Sequence, residues 1–127
     1  MRDACFAASA PNYISGSASP LPRIPHLYFM DPTLGVDRDG HPQPADFYVD
    51  IADTFATKKA MLACHASQRS WLRKQHSIDD YIDAMERWTR AVGRRAGCEF
   101  AEGFRHYKGH PYPQDPVLEK LAANARE

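Results

Sequence analysis

The chain has 127 residues, of which 43% are hydrophobic and 25% are charged, a composition typical of one globular domain rather than of a disordered segment. Its 16 basic residues balance 16 acidic ones, so no overall field draws in nucleic acid or an anionic membrane. No apolar run approaches the roughly 20 residues that a membrane-spanning helix needs. Composition therefore excludes a membrane span and argues against nucleic-acid binding.

The three cysteines indicate a reducing compartment. Cys5, Cys64 and Cys98 are far apart, odd in number, and form neither a C-x-x-C pair nor a disulfide framework. The opening "MRDACFAASA" has some features of a signal peptide, but Asp3 interrupts the positive segment that such a peptide requires. We therefore expect a short helix over residues 3–9 and a cytoplasmic protein.

Two short segments have the composition of strands. Residues 26–30, "HLYFM", form an aromatic and apolar run between Pro25 and Pro32, which predicts a buried strand. Residues 47–51, "FYVDI", are rich in the aromatic and β-branched types that strands favour. The prolines and glycines before and between these segments predict surface loops.

Two helices are predicted after the second strand. The first covers residues 53–66, capped by Asp50 or Asp53, with Phe55, Leu62 and His65 near one face. The second covers residues 78–93 and has a regular apolar face made of Ile78, Tyr81, Ile82, Met85, Trp88 and Val92.

The ends of the second helix carry the expected signals. Ser77 and Asp80 form a capping-box pattern at its start, and Gly93 or Gly97 ends it. Acidic side chains lie near the predicted N-terminus and arginines near the C-terminus, as the helix dipole favours. After it come a short apolar segment, a proline-rich turn and a terminal helix.

The segment "KKAMLACHASQRSW" holds the most reactive side chains of the chain. A nucleophilic pair of Cys64 and His65 is disfavoured, because adjacent residues of a helix point about 100° apart. His65 and Gln68, three residues apart, share a helix face in this interpretation. They either line a pocket or form a buried polar link to a neighbouring element, and we favour the link.

No spacing in the chain predicts a metal site. His65 and His76 lie on either side of an expected helix break, and no H-E-x-x-H pattern occurs. Asp37, Asp39 and Gly40 match a calcium loop at only three positions, without the later bidentate glutamate. Glycine-rich phosphate loops are also absent from the sequence.

Three motifs in order resemble the carboxy-terminal half of the LmbE-like family, the PIG-L or GlcNAc-phosphatidylinositol de-N-acetylase-related proteins. They are "PHLYFMD", "DFYVDI" followed by "KKAMLACHASQ", and "CEFAEGFR". The resemblance covers about residues 2–105. Its most specific part runs from "YVDI" through Lys58 or Lys59 to "HASQ" and is completed by "AEGF".

The resemblance implies a Rossmann-like three-layer α/β fold and zinc-dependent hydrolysis of an N-acetyl group on an amino sugar or sugar conjugate. In this family two histidines and an aspartate hold the metal, and a neighbouring aspartate acts as the base. The motifs that supply them, A-H-P-D-D-E and H-x-D-H, do not occur here. His110 and Pro111 are followed by Tyr112 and Pro113 instead of two aspartates.

The sequence therefore predicts the carboxy-terminal part of a de-N-acetylase domain over residues 1–107, followed by a proline-rich turn and tail over residues 108–127. We expect no catalytic residue and no zinc ligand in this chain, and we expect it to begin after the second metal motif and to be inactive alone. The alternative is a non-catalytic module that completes a sheet or an oligomer interface, including a homo-oligomer.

Overall fold

One antiparallel sheet of three strands organises the molecule, and the last strand of the sequence lies in its centre. The computed structural model describes residues 2–13, 16, 18–76 and 81–124. Its strands are β1 (Tyr28–Met30), β2 (Phe47–Asp50) and β3 (Ala101–His106). They are ordered β1-β3-β2, with Tyr28 opposite His106 and Phe47 opposite Phe104.

Five α-helices accompany the sheet in the described residues. They are α1 (Arg2–Ala7), α2 (Phe55–Ala63), α3 (Ala66–His76), α4 (Tyr81–Ala96) and α5 (Val117–Asn124), with short 3-10 turns at Thr33–Gly35 and Ala52–Thr54. Across these ranges, no helix combines the length and the apolar character needed to cross a bilayer.

The mixed α/β class is confirmed, whereas the Rossmann-like three-layer fold is not. Both strand pairings are antiparallel, while a Rossmann-like sheet is mostly parallel. The strands predicted near 26–30 and 47–51 are present but shorter, at Tyr28–Met30 and Phe47–Asp50. Where the central strand β3 lies, the sequence predicts only a short apolar segment.

The helix predicted over 53–66 is interrupted. It begins with the 3-10 turn, and α2 ends at Ala63. The backbone N–H groups of Cys64 and His65 donate to carbonyls three residues earlier, both at 3.2 Å, which tightens the last turn and ends the helix. Cys64 and His65 therefore lie in a junction between α2 and α3, and the angle expected of adjacent helical residues does not apply to them.

The helix predicted over 78–93 corresponds to α4. Its predicted first residues, 78–80, and the capping pair of Ser77 and Asp80 lie outside the described residues. Its end is set by Gly97, which follows Ala96 with φ of 76°, the left-handed conformation that glycine adopts at helix ends. Gly97, not Gly93, therefore ends the helix.

Gly93 has a packing role instead. A β-carbon at this position would lie 2.5 Å from the carbonyl oxygen of Glu99, so the turn after α4 folds back against the helix itself. The N–H of Cys98 donates to the Gly93 carbonyl at 3.0 Å and fixes that turn. The close approach directs the chain from α4 into β3.

The core lies between α4, α2 and β3. Val92, Thr89 and Ala101 are each only 1% exposed. Phe55 at the start of α2 stacks on Phe100 with ring centroids 3.8 Å apart. The predicted apolar face of α4 therefore packs into the core, with Val92 at its centre.

The segment after β3 folds back on the sheet. His106 Nε2 lies 3.1 Å from the carbonyl oxygen of Pro113, and His26 Nε2 lies 2.7 Å from Asp115 Oδ1. The Tyr28 hydroxyl accepts a hydrogen bond from the Leu118 N–H at 3.2 Å. The boundary between residues 107 and 108 stays a prediction.

Candidate functional site

A small pocket forms where three distant segments of the chain meet over the central strand. Its volume is about 140 Å³. The lining residues come from the end of β1, from α2, from α4 and from β3: Met30, Asp31, Lys58, Trp88, Thr89, Val92, Ala101, Glu102 and Gly103. Four of them carry polar side chains that could contact a ligand, namely Asp31, Lys58, Thr89 and Glu102. We refer to this as the Asp31 pocket.

Asp31 enters the pocket because β1 ends there against β3. Its N–H donates to the Gly103 carbonyl at 2.9 Å, which places its side chain over a residue without a β-carbon. Burial raises the pKa of the Asp31 carboxyl, and the charges of Arg105 and Arg95 oppose that shift. Its Oδ1 atom is buried and has no hydrogen-bond partner among the described residues.

Lys58 provides the positive charge of the pocket. Its ammonium lies 2.8 Å from Glu102 Oε1 and donates to Thr89 Oγ1 at 3.1 Å. Thr89 in turn donates to the Met85 carbonyl at 2.8 Å, within α4. About 31% of the Lys58 side chain and 22% of the Glu102 side chain remain exposed. Three elements are therefore connected through one ammonium group.

The neighbouring Lys59 makes a different ion pair outside the pocket. Its ammonium lies 2.7 Å from Glu86 Oε2, and Glu86 also contacts Arg90 at 3.4 Å. Lys59 holds the pKa of the Glu86 carboxyl below its ordinary value. The sequence resemblance did not distinguish the two lysines, and the structure places only Lys58 in the pocket lining.

The Trp88 wall of the pocket is fixed by a close approach of the loop after β1. Gly35 has φ of 71°, and a β-carbon there would lie 2.9 Å from Trp88 Cη2. The Arg95 guanidinium lies 5.3 Å from the centre of the indole ring. The indole is therefore held between a glycine and a cation, which limits its movement.

The structure places the predicted pair of His65 and Gln68 away from this pocket. His65 lies in the junction before α3, whereas Gln68 lies within α3, and both side chains are exposed. Cys64 is exposed as well, and its thiol donates to the Ala60 carbonyl at 3.4 Å. The pocket-lining and structural roles of His65 and Gln68 stay predictions.

One group in the described part of the chain brings three possible metal-ligand atoms within 4.8 Å of one another: Asp37, Asp39 and His41. Asp37 Oδ1 accepts the backbone N–H groups of Asp39 and His41, each at 2.9 Å, and Gln43 donates to its other oxygen at 3.2 Å. The bond from the His41 N–H is the main cause of the lowered pKa of Asp37. These hydrogen bonds hold a turn of the backbone, and the turn accounts for the closeness of the three side chains.

The donor set of two histidines and an aspartate that the resemblance implies does not fit these residues. The turn cluster offers one histidine and two aspartates. His26 and His106 have ring centroids 6.3 Å apart, but the first is hydrogen-bonded to Asp115 and the second to Pro113. We therefore assign no zinc site to the described residues.

Sequence reasoning missed the pocket because its polar members are ordinary in isolation. In the sequence, Asp31 is only the last residue of "PHLYFMD", and Glu102 is one residue of "AEGF". The available signal was their position: one follows a strand directly, and the other lies beside a glycine. No protein-family model and no solved structure matches the chain.

Proposed function

We propose that this chain supplies the carboxy-terminal part of an LmbE-like de-N-acetylase domain, whose reaction is the hydrolysis of an N-acetyl group on an amino sugar or sugar conjugate. One observation carries the proposal. The motifs that suggested the family are far apart in sequence, yet Asp31, Lys58 and Glu102, one from each motif, line the same pocket.

The contacts among these residues argue that the motifs belong to one structural unit. Lys58 and Glu102 form an ion pair of 2.8 Å, and Asp31 lies opposite Gly103, the next residue of the same strand. The three motifs therefore form one connected part of the structure. The proposal includes a Rossmann-like three-layer fold for the complete domain, in which β1 would pair with a further strand.

In this proposal the chain shapes the site rather than performing the chemistry. Zinc would supply an activated water in the complete domain, and its ligands would come from a polypeptide with the A-H-P-D-D-E and H-x-D-H motifs. The role left to this chain is to hold part of the substrate and to exclude water. We expect the chain alone to be inactive.

Co-purification tests the proposal. The chain is expressed alone and together with the metal-binding half of an LmbE-like enzyme, and zinc content and release of free amine from N-acetylglucosamine are measured. We expect zinc and amine release only in the complex. Stoichiometric zinc in the chain alone after dialysis, or failure of the two polypeptides to associate, would contradict the proposal.

A second candidate function is a non-catalytic interaction module, and the edge of β1 favours it. In the described sheet, β1 is paired on one side only, with β3. The antiparallel pattern directs the backbone N–H and C=O groups of Tyr28 and Met30 to the opposite side, away from β3. Phe29 and Met30 are 38% and 56% exposed. Such an edge can pair with a strand of another chain.

Light scattering after gel filtration distinguishes this candidate. A module that uses the β1 edge should form a dimer or a larger oligomer on its own, and Met30→Lys should return it to a monomer because charge blocks edge pairing. A monomeric wild-type chain that gains hydrolase activity with the metal-binding half would leave only the first proposal.

A further inference from the structure

We propose that the Asp31 pocket binds a small amide group, with Asp31 accepting a hydrogen bond from its N–H and Lys58 donating one to its carbonyl oxygen. The geometry of the pocket carries this inference. Only the identification of that amide as an N-acetyl group rests on the proposed function.

The acceptor in the pocket is an oxygen without a partner. Asp31 Oδ1 is buried and accepts no hydrogen bond from the described residues. A buried carboxylate oxygen of this kind is unfavourable unless it meets a donor. The N–H of a ligand would supply that donor.

The donor in the pocket is a fixed ammonium group. Lys58 carries three protons, and its contacts in the described structure direct two of them to Glu102 and Thr89. The third can be donated to a carbonyl oxygen. Because two partners hold the ammonium, little side-chain entropy is lost when the ligand binds.

The charges of the lining favour a neutral ligand. Glu102 pairs with Lys58 at 2.8 Å, so a carboxylate bound at the ammonium group would lie beside the negative charges of Glu102 and Asp31. A cationic ligand would meet Lys58 together with Arg95 and Arg105, which act on Asp31. A neutral group with one donor and one acceptor avoids both repulsions, and an amide has this combination.

The walls and the size restrict the ligand further. Met30, Trp88, Val92 and Ala101 provide apolar contact. The volume of about 140 Å³ is below the roughly 300 Å³ at which pockets for drug-sized ligands begin. It is close to that of a cavity that holds benzene, about 150 Å³. The pocket therefore has room for a methyl-bearing amide, and a larger molecule would insert only that end.

Titration of the full chain with N-methylacetamide tests the inference. Nuclear magnetic resonance reports separately on the indole N–H of Trp88, in the lining, and of Trp71, on α3. We expect a saturable shift of the Trp88 signal at millimolar ligand and a constant Trp71 signal. Acetate and methylammonium, which are smaller than N-methylacetamide and therefore fit the pocket but carry a charge, should bind at least about tenfold more weakly, equivalent to about 1.4 kcal/mol.

Adjacent lysines give a matched pair of variants. Lys58→Met should weaken N-methylacetamide binding by about tenfold, whereas Lys59→Met, outside the pocket, should leave it within about twofold. Equal effects of the two substitutions would overturn the inference. If Lys58→Met does not fold, the preference of the wild-type chain for the neutral amide over both ions decides the question.

Failure of this inference is distinguishable from failure of the proposed function. The probe contains no sugar and the titration needs no metal, so absence of a saturable Trp88 shift overturns amide binding alone. Conversely, amide binding by a chain that never forms a zinc-containing complex would support the pocket and contradict the de-N-acetylase assignment.

Discussion

The carboxylate of Asp31 lies over the α-carbon of Gly103, so that a β-carbon at position 103 would be 2.2 Å from Asp31 Oδ2. The Ala45 β-carbon would be 2.9 Å away on another side. Real side chains do not approach this closely. The pair therefore makes glycine a requirement of the central strand, even though glycine weakens strands in general.

Gly103→Ala should lower the free energy of unfolding by about 1–3 kcal/mol, because the added methyl group displaces Asp31 or Ala45. Urea denaturation measures the change. Adding Asp31→Ala should recover part of the loss by removing the nearer contact, which a double-mutant cycle quantifies. Additive effects of the two substitutions would show that the pair does not interact as described.

The amphipathic helix was predictable because its signals are local. The apolar face that contains Met85, Trp88 and Val92 follows the period of a helix, and Gly97 stands at its end. Each of these features depends only on residues within a few turns of each other. Packing in the folded protein reinforces such local preferences, so a helix predicted from them is also found in the structure.

The central strand was not predictable for the opposite reason. A strand covered by helices usually reads as an apolar run, but β3 contains Glu102, Gly103 and His106. Two of these residues are accommodated by partners from distant segments: Lys58 pairs with Glu102, and Asp31 lies over Gly103. Those contacts join residues that are far apart in the sequence, so the pocket that they form could not be predicted from the sequence either.

Lys58→Met should destabilise the protein by about 1–3 kcal/mol, because it leaves the partly buried Glu102 carboxylate without its cation. Lys59→Met should cost clearly less, since its pair with Glu86 is more exposed and the carboxylate keeps its contact with Arg90. Chemical denaturation of both variants under identical conditions gives the comparison. A larger loss for the Lys59 variant would contradict the assignment of the buried pair.

The link between His26 and Asp115 should make docking of the last segment depend on pH. The hydrogen bond from His26 is the main cause of the lowered pKa of Asp115, whose ordinary value is 3.8. A lowered pKa in the folded state contributes stability at pH values above the ordinary one. That contribution is lost as pH falls through the folded-state pKa.

Thermal unfolding between about pH 6 and pH 3 tests this dependence. The wild-type chain should lose stability more steeply below pH 4 than Asp115→Asn, which cannot titrate at this position. At pH 6 the variant should also be cut faster by trypsin after Lys120, which follows the link. Parallel pH profiles for the two proteins would show that the link does not contribute.

His65→Ala and Gln68→Ala should each change the free energy of unfolding by no more than about 0.5 kcal/mol, because both side chains are exposed. A buried polar link would cost about 1–3 kcal/mol on truncation, since its partners would be left unpaired. Thermal and urea denaturation separate the two ranges. Thr89→Val, at a site only 1% exposed, is the positive control, because it removes a hydroxyl that bonds to Lys58 and Met85. A loss at His65 as large as that at Thr89 would show that the junction between α2 and α3 is a structural centre after all.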